Sequence, residues 1–393
     1  MKRLREYRLF GGILFYCLCI ITLAKCITPY KPSDITSSNG LFVVEAYILA
    51  PIGSSIKISR SNDLQDINGY EKVSNAKVTI INDRGDLIAT AEENNVGEYL
   101  ISNPISFIAD TKYALDIVVG NEHFRSTLEE PLVTPQIDEL YWSPKSDGYE
   151  VDILLSTHDP LQKTEHYLWR YEEDWEYTAQ FYAPERWDPE KGSVVENTYT
   201  DNTYYCWNSD YSRSFILGDA ETLQDGRFKN KVIHNLKSGG TRFSYLYSIL
   251  VKQYAISYEA YKYYENLHKN VNETGGLFAP MPTEMRGNII NLANPDEPII
   301  GYVIISTETN QRIYIDRRDV PYMSVSFYSE CLLEPAPGEQ DIVSTPSIAY
   351  QNGWGISTND EKTGYEYHQL RCVDCRALGG SKNKPDFWPT DNL

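Results

Sequence analysis

Long apolar runs are nearly missing from this chain. The one clear case, Leu9–Ala24 (LFGGILFYCLCIITLA), covers about sixteen residues, short of the roughly twenty a spanning helix needs, so a multi-helix membrane protein is excluded. Positive charge is scarce as well. Lys and Arg number 36 against 55 Asp and Glu, a net charge of −19, and no basic cluster offsets the excess. A polyanion of this kind repels nucleic-acid phosphates, which excludes DNA and RNA as partners. Catalytic signatures are also lacking. There is no GxSxG elbow, HExxH helix, phosphate loop or EF-hand loop. The six histidines (His123, His158, His166, His234, His268 and His368) are scattered, so a hydrolase or metal centre would need long-range assembly. The acidic turns THDP (157–160) and NPDEP (294–298) read as solvated loops rather than calcium sites. YEEDWE (171–176), which alternates acids with aromatics, reads as a strand with one wet face rather than the carboxylate pair of a glycosidase. The expectation is a non-enzyme with no catalytic residue, metal or cofactor.

What is present begins at the N-terminus. Lys2, Arg3, Arg5 and Arg8 precede the apolar run, and LAKC ends at Cys26. A cationic start, a short apolar core and a cysteine with Leu23 and Ala24 at the third and second positions before it read as a lipoprotein signal peptide over residues 1–25. Lys25 departs from the small residue usual there. Cys26 then becomes the lipidated mature N-terminus, stably anchored once it carries two or more fatty chains. Removing Lys2, Arg3, Arg5, Arg8, Lys25 and Glu6 leaves 31 basic against 54 acidic side chains, a charge of −23. Residues 26–40, with two prolines, read as a tether.

The remainder is 41% hydrophobic and 13% aromatic over the whole sequence, enough to build a sizeable core. Tyrosine stands out at 31 residues, which suits half-buried strand faces. LFVVEAYILA, SSIKISRS, NAKVTIINDRG, GEYLI and TKYALDIVVGNEHFRS alternate between turn residues, with Asp83-Arg84-Gly85 as a hairpin tip. That rhythm predicts an immunoglobulin-like β-sandwich over residues 41–136. EPLVTPQIDELYW (130–142) reads as the junction to a larger β-rich domain, 137–393. There YEVDILLST, EHYLWRYEEDWEYTAQFY, YTDNTYYCWN and SRSFILGDA read as strands. SYEAYKYYENLHKN (257–270) carries a helical stripe, Ser257 as its cap and Gly275-Gly276 as its stop. IIGYVIIST and QRIYID read as a closing hairpin. The fold class is mainly β, with one short α-helix.

Four cysteines remain after export: Cys206, Cys331, Cys372 and Cys375. An even number in an oxidising compartment predicts two disulfides, with three connectivities open. The motif CVDC lies in a tail followed by Gly379-Gly380, not at the start of a helix as in a redox protein. It reads as a staple that ties the tail, with Phe387 and Trp388, onto the second domain.

CITPYKPSD, LFVVEAYI, NAKVTIINDRGD, GEYLI, AYKYYENL, GGLFAPMPTEMRGNI, EPIIGYVIIST and CVDCRALGGSKNKPDFW follow in an order that resembles domain-of-unknown-function family 4249, lipoproteins of Bacteroidota. The resemblance implies an outer-membrane lipoprotein with a fibronectin-like or carboxypeptidase-regulatory-like N-terminal sandwich. It also implies an accessory role beside a TonB-dependent transporter, and it supplies no catalytic residues. The expected function is that of an accessory, cap or scaffold of an outer-membrane β-barrel, exposed at the cell surface and touching its partner through aromatics of residues 137–393. A subunit of the outer-membrane protein assembly machinery is the second reading. An envelope hydrolase or carbohydrate-binding protein is the alternative of a different class. Converging carboxylates of raised pKa would favour the hydrolase, and a flat aromatic surface the scaffold.

Overall fold

Alternating apolar residues from Phe42 onward become strands in the computed structural model, which describes residues 40–61, 70–198, 201–273, 286–323, 331, 345–360 and 364–389. The signal peptide, Cys26, the tether up to residue 39 and Gly275-Gly276 lie outside the described residues. The first body holds β1 (Phe42–Ala50), β2 (Ser54–Arg60), β3 (Glu71–Lys72), β4 (Lys77–Asn82), β5 (Leu87–Asn95), β6 (Glu98–Ile101), β7 (Tyr113–Val119) and β8 (Glu122–Ser126). Strand order runs β1-β2-β6-β5-β4-β7-β8. Phe42 of β1 nevertheless stacks on Phe124 of β8 with centroids 4.0 Å apart. The sheet therefore folds over itself as a sandwich around one core. The tip at Asp83-Arg84-Gly85 forms as expected. Asn82 Oδ1 accepts from the backbone N–H of Arg84 and Asp86, and Gly85 takes φ 82°, which glycine adopts without a Cβ penalty.

The second body follows with β9 (Ile137–Pro144), β10 (Glu150–Thr157), β11 (His166–Thr178), β12 (Glu185–Asp188), β13 (Ser193–Glu196), β14 (Tyr205–Tyr211), β15 (Ile216–Asp219), β16 (Phe228–Lys237) and β17 (Leu246–Ile256). The three-stranded sheet β16-β10-β9 packs on β11 and β17 through Val151, Ile153, Leu155, Tyr167, Trp169, Tyr177 and Tyr247, all fully buried. Helix α1 (Tyr258–Glu273) comes next. Ser257 caps it, its Oγ accepting from the Ala260 N–H at 3.1 Å. The helix buries Ala260, Tyr263 and Tyr264 against Tyr47 and Leu49 of β1 and Leu168 and Tyr254 of the second body. It thus seals the seam between the two bodies.

The seam is also crossed by a strand. After β18 (Ile289–Asn291), β19 runs unbroken over Ile299–Asp316. Its first half pairs in parallel with β1 and its second half antiparallel with β17. The expected hairpin between IIGYVIIST and QRIYID is therefore corrected to one continuous strand. The polar stretch between them imitates a turn but serves as glue. Thr309 Oγ1 and Gln253 Nε2 donate to Pro135 O at 2.8 and 2.9 Å, and the Thr134 N–H donates to Thr307 Oγ1 at 2.8 Å. The junction is pinned rather than loose. Gly301 in β19 has no room for a side chain, since an added Cβ would fall 1.8 Å from Val44 O.

The tail carries α2 (Pro346–Gln351), β20 (Trp354–Asp360), β21 (Gly364–Gln369) and α3 (Leu370–Val373), then a 3-10 turn over Cys375–Leu378. So three α-helices, not one, lie among the described residues. The two additional ones are very short. The fold is mainly β with disulfides in its C-terminal region.

Candidate functional site

The two cysteines of CVDC are not joined to each other. Cys206 of β14 bonds to Cys375, and Cys331 bonds to Cys372. The spacing is explained by two separate anchors: α3 orients Cys372 and the following turn orients Cys375. Backbone contacts reinforce both, with the Cys375 N–H donating to Thr203 O and the Phe181 N–H to Cys372 O. The paired glycines have distinct roles. Gly379 ends the 3-10 turn at φ 86°. An added Cβ on Gly380 would lie 2.2 Å from Tyr177 Oη and 2.9 Å from the Cys206 Cβ. The tail then lies on the outer face of the large sheet, where the Trp388 indole reaches Glu176 at 3.4 Å. Trp388 is buried, whereas Phe387 stays half exposed under the Arg312 guanidinium.

The rest of that face is open. A cleft of about 580 Å3 lies where β1 and β2 meet β11, β14, β17 and β19. Period-two geometry sends Arg170, Glu172 and Asp174 to one face of β11 and Tyr171 and Glu173 to the other. All five contribute to the cleft's lining. Four tyrosines (Tyr47, Tyr171, Tyr211 and Tyr254) and six carboxylates are among the lining residues, against three cations, Lys57, Arg170 and Lys252. The site is therefore acidic and aromatic.

Each of those six carboxylates already has a partner. Glu45 accepts from Arg170 at 2.6 Å, Glu172 from Lys252, and Asp174 from Arg312 at 3.1 Å. Glu308 accepts from the Tyr254 hydroxyl at 2.7 Å. Arg242 bridges Asp210 at 3.3 Å and Glu173 at 2.5 Å. YEEDWE has one wetter face at Glu172 and Asp174, but Glu173, 2% exposed, lies on the buried face, where no acid was expected, and the tail covers Glu176. Glu173 and Glu176 are both interior, because partners from β16, β17 and the tail make their burial tolerable. Burial pushes the Glu173 carboxyl up. The His234 imidazole, the Arg242 guanidinium and the Tyr247 hydroxyl outweigh it and hold the pKa down at about 2. Burial raises Asp174 despite Arg312.

Tyr171, His234 and Glu173 stand in a row that invites comparison with a hydroxyl–base–acid relay. The Tyr171 hydroxyl lies 3.0 Å from His234 Nδ1, and His234 Nε2 lies 3.6 Å from Glu173. The relay would need an activated hydroxyl. Here burial, with Glu173 and Asp210 nearby, pushes the Tyr171 phenol up to about 12. Neutral phenols and committed carboxylates make a surface of hydrogen-bond donors and fixed negative charge, suited to holding a cationic or hydroxyl-rich group.

Sequence reasoning missed this site because its residues lie on six strands. The one signal was the acid at every other position of an aromatic strand, visible in YEEDWE. Cys26 lies outside the described residues. No curated protein matches the chain. Residues 27–312 match the model of a family described as a domain of unknown function, DUF4249, and the chain belongs to that family.

Proposed function

We propose that this protein is a non-enzymatic lipoprotein, anchored through Cys26 in the outer membrane and exposed at the cell surface, that serves as an accessory subunit of an outer-membrane β-barrel, a TonB-dependent transporter. The observation that carries the reading is the cleft at the seam, in which each carboxylate is held by a partner. Groups already engaged in this way are suited to binding and orienting the charged or polar side chains of a partner. The acidic lining complements a lysine- or arginine-bearing loop, and like-charge surfaces elsewhere on the polyanion disfavour wrong partners. The aromatic contact expected of the tyrosine- and tryptophan-rich residues 137–393 is assigned to the tyrosines of this cleft, Tyr171, Tyr211 and Tyr254. None of the seven tryptophans is among the exposed large side chains, whereas Tyr211 at the cleft is 60% exposed.

Affinity purification of the tagged full-length protein in mild detergent, followed by mass spectrometry, tests the reading. A β-barrel protein should co-purify with the wild type. Tyr211→Ala should cut its recovery by about tenfold, the effect of one interface hot spot. Tyr149→Ala, equally exposed but remote from the cleft lining, should leave recovery unchanged. A wild-type protein that purifies alone would end the accessory reading.

A further inference from the structure

We propose that Glu165, His166 and Glu221 form a binding site for a divalent first-row transition ion of the zinc class, away from the cleft. Strand pairing builds the site. His166 opens β11 and sits opposite Asp219, the last residue of β15. The Ala220 N–H donates to Glu165 O at 2.7 Å, and the Glu221 N–H donates to Asp219 Oδ1 at 3.0 Å. These two bonds fold the chain back so that Glu221 faces the histidine. One donor atom from each of Glu165, His166 and Glu221 lies within 4.8 Å of the others.

An acidic cluster alone would be an ordinary solvated edge. The histidine makes it different. His166 is 4% exposed, and its Nε2 has no hydrogen-bond partner among the described residues. Its ring is wedged against Tyr258 and Tyr261 of α1, with centroids 5.5 and 4.9 Å away, which fixes where that nitrogen points. It points at oxygens too distant to bond: Glu221 Oε1 at 3.7 Å and Asp219 Oδ1 at 3.9 Å. An orphaned buried nitrogen costs about 1–3 kcal/mol. The 3.7 Å gap between the donors of His166 and Glu221 is close to what a metal requires. Ligand bonds of roughly 2.0–2.2 Å set neighbouring donors around a tetrahedral ion about 3.3–3.6 Å apart. One imidazole nitrogen and two carboxylate oxygens suit zinc or manganese rather than a soft, thiolate-seeking ion. Glu165 and Glu221 are exposed, which leaves the outer coordination positions to water. Asp219 adds a third negative charge beside the ion.

Zinc and manganese chlorides are the probes, titrated by calorimetry into the full-length protein stripped with chelator. One equivalent of either ion should bind with a dissociation constant of about 10 µM or tighter, and a hundredfold excess over that constant should raise Tm by about 3 °C. Glu165→Gln with Glu221→Gln removes two surface carboxylates without touching the core, so the variant keeps its fold. It should bind at least about tenfold more weakly and lose the Tm response. Absence of saturable binding by both ions in the wild type would overturn the proposal. So would undiminished binding in the double variant, which would place the ion elsewhere. Partner recovery in the purification above does not depend on either result.

Discussion

Replacing Cys206 and Cys375 together by alanine, both fully buried in the core of the second body, should lower the unfolding free energy by about 5 kcal/mol. The bridge joins residues 169 positions apart. In the chain-entropy model a loop of that length restricts the unfolded ensemble by about 5 kcal/mol, against about 4 kcal/mol for Cys331–Cys372, separated by 41. The long bridge also holds a specific assembly. Cys375 O accepts from the buried Tyr177 hydroxyl at 2.7 Å, Trp207 and Ser381 exchange backbone hydrogen bonds, and Trp388 covers Glu176. Freeing the tail uncovers a buried carboxyl as well as an aromatic. Guanidinium unfolding of the double variant and wild type, with intact masses before and after reduction, checks this. A loss below about 1 kcal/mol would show that the tail is held by its packing and not by the bridge.

Glu173→Gln should be the second-largest effect, and it should depend on pH. The folded-state pKa is depressed from 4.5 to about 2. A depressed carboxylate contributes stability that is fully present above its unfolded pKa and is lost as the pH falls through the folded value. The shift is worth about 3 kcal/mol at pH 7. The wild type should therefore lose stability from about pH 4.5 down to about pH 2. The glutamine variant should start about 3 kcal/mol lower at neutral pH and show a flatter slope across that window. Arg242 keeps Asp210 as a partner at 3.3 Å and a solvent-facing side with side-chain exposure of 36%, so the deletion should not exceed this range. Urea unfolding at stepped pH gives the comparison. Parallel slopes would mean that Glu173 is not the group that titrates.

Local features of the fold were legible. Asp83-Arg84-Gly85 marked a turn because only particular residues tolerate that backbone, and Ser257 marked a helix start because its hydroxyl replaces a missing partner. Alternation marked strands such as Phe42–Ala50. What escaped was long-range. Residues 308–310 read as a turn because three polar residues interrupt the apolar alternation; the partner of Thr309, Pro135, comes from 174 residues earlier. In YEEDWE the burial of Glu173 and Glu176 was not legible, because nothing local shows that Arg242, Tyr247 and Trp388 arrive to cover them. The cysteines yielded their number but not their pairing, since Cys206 and Cys375 meet only once β14 and the tail are laid side by side. The cleft and the Glu165–His166–Glu221 group share this character: each is assembled across strands, and no short motif encodes it.

The most direct test of the central claim is a photo-crosslinking amino acid placed at position 211 of the full-length protein in living cells. The side chain there stands at the mouth of the cleft and is largely solvent-exposed, so the substitution leaves the core intact. Irradiation is expected to give one dominant adduct, identified by mass spectrometry as an outer-membrane β-barrel protein, while the same probe at position 149 gives none. Crosslinks from position 149 but not from 211 would contradict the assignment of the cleft. No adduct to any barrel from either position would contradict the accessory function itself.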